Sequence, residues 1–114
     1  MIVHNVSDAR RFDSGKLVKA NLCESERMFC DLYCLAPGGE QKPHTHEEGD
    51  KVYFVLEGCA LFEIDGECRE VGEKNVVLAP AGSRHGVRNS SEVNLCLLVF
   101  MAPHPNYVRK ELGK

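Results

Sequence analysis

Hydrophobic and polar positions alternate along most of the chain with a period of two, which predicts strands rather than helices. In "RMFCDLYCLAPGG", Met28, Cys30, Leu32 and Cys34 fall on one face, and the run breaks at Pro37-Gly38-Gly39. "KVYFVLEG", residues 51–58, is rich in β-branched and aromatic residues and stops at Gly58. "CALFEIDGECREVG", residues 59–72, reads as a hairpin: Asp65-Gly66 is a two-residue turn that accepts positive φ, flanked by Phe62, Ile64 and Val71. "NVVLAPAG" is a short apolar strand closed by Pro80 and Gly82. "VNLCLLVFMAP" is continuously apolar, as expected of a strand buried on both sides.

No segment sustains helical spacing. "VSDARRFDSG" can form one turn with Ser7 or Asp8 as its N-cap, and the tail "PNYVRKELGK" a short helix or an arm. Strands separated by turn signals every eight to twelve residues or so predict an all-β sandwich or barrel. The chain has 114 residues, enough for a single core, so one domain over 1–114 is expected.

Composition narrows the function. The net charge is −3 with no basic block, which argues against nucleic acid as a partner. No apolar run approaches the roughly 18 residues of a membrane span, and the first ten residues lack the layout of a signal peptide. A cytoplasmic protein is expected. Its six cysteines, at positions 23, 30, 34, 59, 68 and 96, form no Cys-x-x-Cys, so a zinc ribbon or a thioredoxin-type motif is not expected. Most read as small buried hydrophobes. Cys34 stands out because its strand leads toward a histidine pair. No nucleophile elbow surrounds Ser83, and no Gly-rich phosphate loop occurs.

The chemistry lies in the histidines. His44 and His46 are two residues apart, so on a strand both rings leave the same face and can converge on one ion. On its own such a pair is weak evidence, because it is more often found on a solvated face. A second segment, "PAGSRHGVRN", adds His85, and imidazole is the commonest ligand for intermediate metals. His4 and His104 lack such context and read as surface or subunit-contact residues.

In their order and spacing these segments resemble the two motifs of the cupins, small β-jelly-roll barrels. The first motif is matched by Gly38, His44-Thr45-His46 and the closing Gly58; the second by Pro80, Gly82, His85 and Asn89. The usual Gly-Asp ahead of that proline is here Lys74-Asn75, with Gly72 turning the chain slightly earlier. The resemblance covers roughly residues 30–100. It implies an all-β jelly-roll barrel (a double-stranded β-helix) and a homodimer. It also implies one divalent transition metal (nickel, iron, zinc, manganese or copper) on His44, His46 and His85. For activity it implies little, because the fold hosts many chemistries; oxidative cleavage by O₂ or isomerisation of a small polar molecule would fit, and so would a non-catalytic binding module or sensor.

One departure stands out. The position of the family's glutamate ligand, separated from Gly58 by six intervening residues, is Lys51. Lys51, Tyr53 and Val55 share the inward face, which makes Lys51 and Tyr53 the candidate substrate-positioning residues, and Asp50 points the other way. A +2 ion and an ammonium about 5 Å apart repel by roughly 7 kcal/mol at an effective dielectric of 20. Four outcomes answer that repulsion. Lys51 loses its proton; it swings out to Glu47, Glu48 or Asp50; an anion bridges it to the metal; or no metal binds. A bridging anion or an outward swing, with metal present, is the expectation. Glu48 is a fallback fourth ligand if its loop folds inward. Phe62 and Ile64 are expected in the apolar wall, Arg84 and Arg88 on the outside, and Asn89 at a turn.

Overall fold

The computed structural model of the protein describes residues 1–107. A single helical turn, α1 (Val6–Ala9), precedes nine strands: β1 (Leu17–Glu24), β2 (Phe29–Leu35), β3 (Glu40–Thr45), β4 (Asp50–Glu57), β5 (Ala60–Ile64), β6 (Glu67–Val71), β7 (Val76–Ala79), β8 (Arg84–Arg88) and β9 (Leu95–Ala102). They form two antiparallel sheets, a five-stranded one in the order β1-β2-β9-β4-β7 and a four-stranded one in the order β3-β8-β5-β6. The all-β architecture predicted by the strand pattern is observed, and it takes the jelly-roll form that the family resemblance implies.

The local readings follow their chemistry. Asp65 and Gly66 both take positive φ, 48° and 85°, and join β5 to β6. Gly58 has φ 87°, and a Cβ there would lie 2.4 Å from the Asn94 carbonyl oxygen, so the β4–β5 corner admits only glycine. β9 lies between β2 and β4 and is buried on both faces along Leu95–Leu97, as its unbroken apolar run predicts.

One local reading is corrected. The cap of α1 is Asn5, not Ser7 or Asp8: its side chain accepts from the Ser7 N–H at 2.8 Å, satisfying a free donor of the first turn. The tail from Pro105, expected as a helix or an arm, lies mostly outside the described residues.

Alternate residues of each strand face alternate layers, which gives two cores. Tyr33, Leu35, Tyr53, Val55, Phe62 and Val99 meet between the sheets. Leu22, Cys30, Leu32, Cys34 and Cys96 form a second cluster on the outer face of the larger sheet, covered by Val6, Ala9 and Phe12. Each such large side chain contributes roughly 1.5–3 kcal/mol of burial. Cys34 therefore does not face the histidines. Its strand neighbour Tyr33 does, because successive side chains point to opposite faces.

Candidate metal centre

His44 lies on β3 directly opposite His85 on β8. A register shift between Gln41 and His44, beside Pro43, marks a bulge where β3 approaches β8 closely. Gly86 permits the approach: a Cβ there would stand 2.8 Å from both the Gln41 oxygen and the Pro43 nitrogen. His46 follows the end of β3 and is held by its own carbonyl, which accepts from the Gly82 N–H at 2.7 Å. The Pro80–Ser83 loop is fixed in turn by Asp50, whose carboxylate accepts from the Ala81 N–H at 2.9 Å. Asp65 steadies the start of β8 by accepting from the Arg84 N–H at 2.8 Å.

The ligand atoms of His44, His46 and His85 all lie within 4.8 Å of one another, a cluster that can hold a metal ion. The Nε2 atoms of His44 and His46 are 3.0 Å apart. That is the spacing of two imidazoles at right angles on one ion with bonds of about 2.1 Å. The Nδ1–H of His44 donates to the Lys42 carbonyl at 2.9 Å, and that of His85 to the Ser83 carbonyl at 3.1 Å. Each bond leaves the Nε2 lone pair free and orients the ring. His85 Nε2 is buried with no partner, which an ion would supply. Burial, then the neighbouring His44, Lys51 and His85, pull His46 down to about 4. His85 is also lowered, chiefly by burial. Both rings stay neutral near pH 7, the form that ligates metal. The donor set fits a divalent transition metal.

Lys51 sits inside, 2 % exposed. Its ammonium donates to Gln41 Oε1 at 3.1 Å and lies 5.1 Å from the Tyr33 ring and 5.3 Å from that of Tyr53. The outward swing is therefore excluded: Glu47, Glu48 and Asp50 do not receive the amine, and Gln41 takes their place as acceptor. Burial first, then the charge of Lys19, lower the Lys51 amine to about 7. No carboxylate belongs to the histidine cluster among the described residues, so Glu48 is not a fourth ligand in this arrangement. Tyr53 is fully buried, its hydroxyl has no partner, and burial raises it above the usual phenol range.

The sequence motifs do not mark Gln41 and Tyr33, yet both belong to the site. Gln41 Nε2 donates to the Tyr33 hydroxyl at 3.4 Å, so the two form one polar chain with Lys51. The available signal is their position: Gln41 precedes the histidine pair on its own strand, and Tyr33 alternates with Cys34. A cavity of about 470 Å³ opens at this end of the barrel, lined among others by Phe29, Tyr33, Gln41, His44, His46 and Lys51. Arg84 and Arg88 are exposed, as expected, and Phe62 is in the core. Asn89 is fully buried; it donates to the Leu35 and Val93 carbonyls at 2.9 and 2.7 Å, and its oxygen accepts from Ser91. His104 pairs with Glu24 at 2.9 Å, away from the cluster.

Residues 31–101 match the cupin domain family. The chain is a cupin. The crystal structure of TT1209 from Thermus thermophilus superposes on it with a TM-score of 0.87 at 41 % identity, over 92 % of this chain and 100 % of that one. An uncharacterized protein of Streptomyces coelicolor is 38 % identical over 78 residues, 67 % of this cupin and 71 % of that protein. A 5-nitrosalicylic acid 1,2-dioxygenase from Bradyrhizobium is 27 % identical over 73 residues, 64 % of this cupin and 35 % of the dioxygenase, so the chain spans about a third of that enzyme. No helix among the described residues is long and apolar enough to cross a membrane.

Proposed function

We propose that this cupin binds one divalent transition metal through His44, His46 and His85 and uses it on a small anionic molecule seated between the metal and Lys51. The reaction is of the dioxygenase or isomerase kind. The observation that carries the reading is the convergence of three imidazoles, two of them with Nδ1–H committed to a backbone carbonyl so that Nε2 carries the lone pair. The likeness to a dioxygenase supports oxygen chemistry, and iron is one of the ions that would serve it. Nickel, zinc, manganese and copper accept the same ligands.

When bound, the ion supplies Lewis acidity and an open coordination position. The chain supplies the rest. Lys51 is poised near neutrality, so an incoming carboxylate or enolate restores its ammonium and gains a charge-assisted hydrogen bond. Gln41 fixes the amine from the facing sheet. Tyr53 keeps its proton and has a hydroxyl free to donate. Phe29 and Tyr33 give the cavity aromatic walls suited to a planar substrate.

A second reading rests on Lys51 itself. A cation where the family carries a carboxylate weakens metal binding, and a module that retains an anion without turnover fits that substitution. Elemental analysis of protein purified without a histidine tag, followed by O₂ uptake with organic acids, phenols and thiols, separates the two. Metal with turnover supports the enzyme, and metal or anion retained without turnover supports the binding module. A metal content unchanged in His85→Ala would remove the trio from both.

The free state of all six cysteines supports a reducing, cytoplasmic setting. The partner we propose besides the small molecule is a second copy of the chain, on the outer face of the larger sheet. There Phe100, Val52 and Leu78 form one apolar row, and Leu98, Phe54 and Val76 a second. Val76 is 64 % exposed and Leu78 is 55 % exposed.

A further inference from the structure

The metal site uses none of the cysteines, yet two of them face each other. Cys34 on β2 and Cys96 on β9 are direct cross-strand partners. The Cys96 thiol donates to the Cys34 sulfur, the two sulfurs standing 3.9 Å apart in the second core. Directly opposed residues of an antiparallel pair have Cα atoms about 4.5–5.5 Å apart, inside the range a disulfide spans. We infer that Cys34 and Cys96 form a peroxide-sensitive dithiol, with Cys34 the attacking thiol and Cys96 the resolving one.

The surroundings distinguish this pair from the other thiols. The Cys34 sulfur also receives the Arg11 backbone N–H and feels the Arg10 charge. Arg10 reaches the Cys96 sulfur and is anchored at 2.6 Å on Glu57. The Cys96 hydrogen bond first, then Arg11 and Arg10, lower the Cys34 thiol against the opposing effect of burial, while Cys96 is raised. At a second cross-strand pair, Cys23 and Cys30, burial pushes the Cys30 thiol up to about 11, and no cation among the described residues offsets it. Cys68 is exposed, and its thiol donates to the Glu63 carboxylate at 3.9 Å rather than facing a second thiol.

Access is through the N-terminal segment. Val6, Ala9 and Phe12 cover the pair, and α1 is only four residues long. Its Arg10–Glu57 anchor is partly exposed, so the cover opens locally at little cost. Hydrogen peroxide is the oxidant. The Cys34 thiolate attacks one peroxide oxygen, the O–O bond breaks, and hydroxide leaves and takes up a proton as water, giving a sulfenic acid. The Cys96 sulfur then attacks the Cys34 sulfur; the S–O bond breaks and a second water leaves as the Cys96 proton is released. Two thiols and one peroxide give one disulfide and two waters.

The test treats the full-length, chelator-stripped protein with hydrogen peroxide and maps thiols by mass spectrometry, so its outcome does not depend on the histidine trio. The expected product is a Cys34–Cys96 linked peptide that forms roughly tenfold faster than Cys68 is modified. In Cys96→Ser, a dimedone adduct is expected on Cys34, and in Cys34→Ser, Cys96 stays unmodified. The wild-type map stands even if a variant fails to fold. A Cys23–Cys30 link formed first, modification of Cys68 ahead of Cys34, or oxidation of Cys34 only in denaturant would overturn the assignment.

Discussion

Lys51 and Gln41 tie the two sheets together at the mouth of the barrel, Nζ donating from β4 to Oε1 on β3 at 3.1 Å. One hydrogen bond to a neutral carbonyl does not compensate a buried ammonium. The proton is held more weakly than in water, which makes Lys51 both a stability cost and a responsive group.

The first prediction concerns pH. The unfolded chain takes up this proton near 10.5, the folded chain near about 7. Between those values the unfolded state binds more protons, so stability rises with pH through that window and is lower by a constant amount below it. The full difference is of order 3–5 kcal/mol. Lys51→Met keeps the stem and removes the charge. It should raise stability at pH 7 by about 2 kcal/mol and flatten the dependence between about pH 7 and 9.5 in urea denaturation. A variant as pH-sensitive as the parent would place the titrating group elsewhere.

Replacing Lys51 with Glu should restore a fourth anionic ligand to the histidine trio. Metal affinity, read by competition with a chromophoric chelator, should rise by roughly tenfold or more, while affinity for a small carboxylate falls. If both affinities stay at the parent's values, the lysine takes no part in the pocket.

Asn89 donates to two carbonyls, those of Leu35 and Val93, and accepts from Ser91. Truncation to Ala orphans buried polar groups and should cost about 2–4 kcal/mol. A drop below about 1 kcal/mol in chemical denaturation would show that water replaces the amide.

The apolar rows on the outer sheet face give a prediction about assembly. Leu78→Glu places a charge on the exposed β7 edge of that face and should convert the proposed homodimer to a monomer in light scattering, with the fold retained by circular dichroism. A parent protein that is monomeric at high micromolar concentration would count against the second copy.

Much of this is legible in the residues. Alternation locates β2, β-branched and aromatic enrichment β4, continuous apolar runs β7 and β9, and the Asp65-Gly66 turn the β5–β6 hairpin and its register. The spacing of His44, His46 and His85 points to one cluster because strand geometry puts i and i+2 on one face. Strand β1 is less legible: its register slips between Asn21 and Cys23, so the alternation that marks a strand is broken midway. The partner of Lys51 escapes the sequence for a different reason. Three carboxylates lie within four residues of it in sequence, but the amine meets a glutamine from the other sheet, ten residues away, and only the way the sheets face each other decides that. Cys34 stands on a strand that runs toward the histidines, but alternation puts Tyr33 there instead.

All three imidazoles ride on β3, its end and β8, within the smaller sheet, whereas the lysine belongs to the larger one. Any slight spreading or sliding of one layer over the other thus alters the gap between the ammonium and the three rings without disturbing the rings' own arrangement. A substitution along β4 therefore changes the wall that faces the histidines and leaves the β3–β8 pairing that sets them in place untouched.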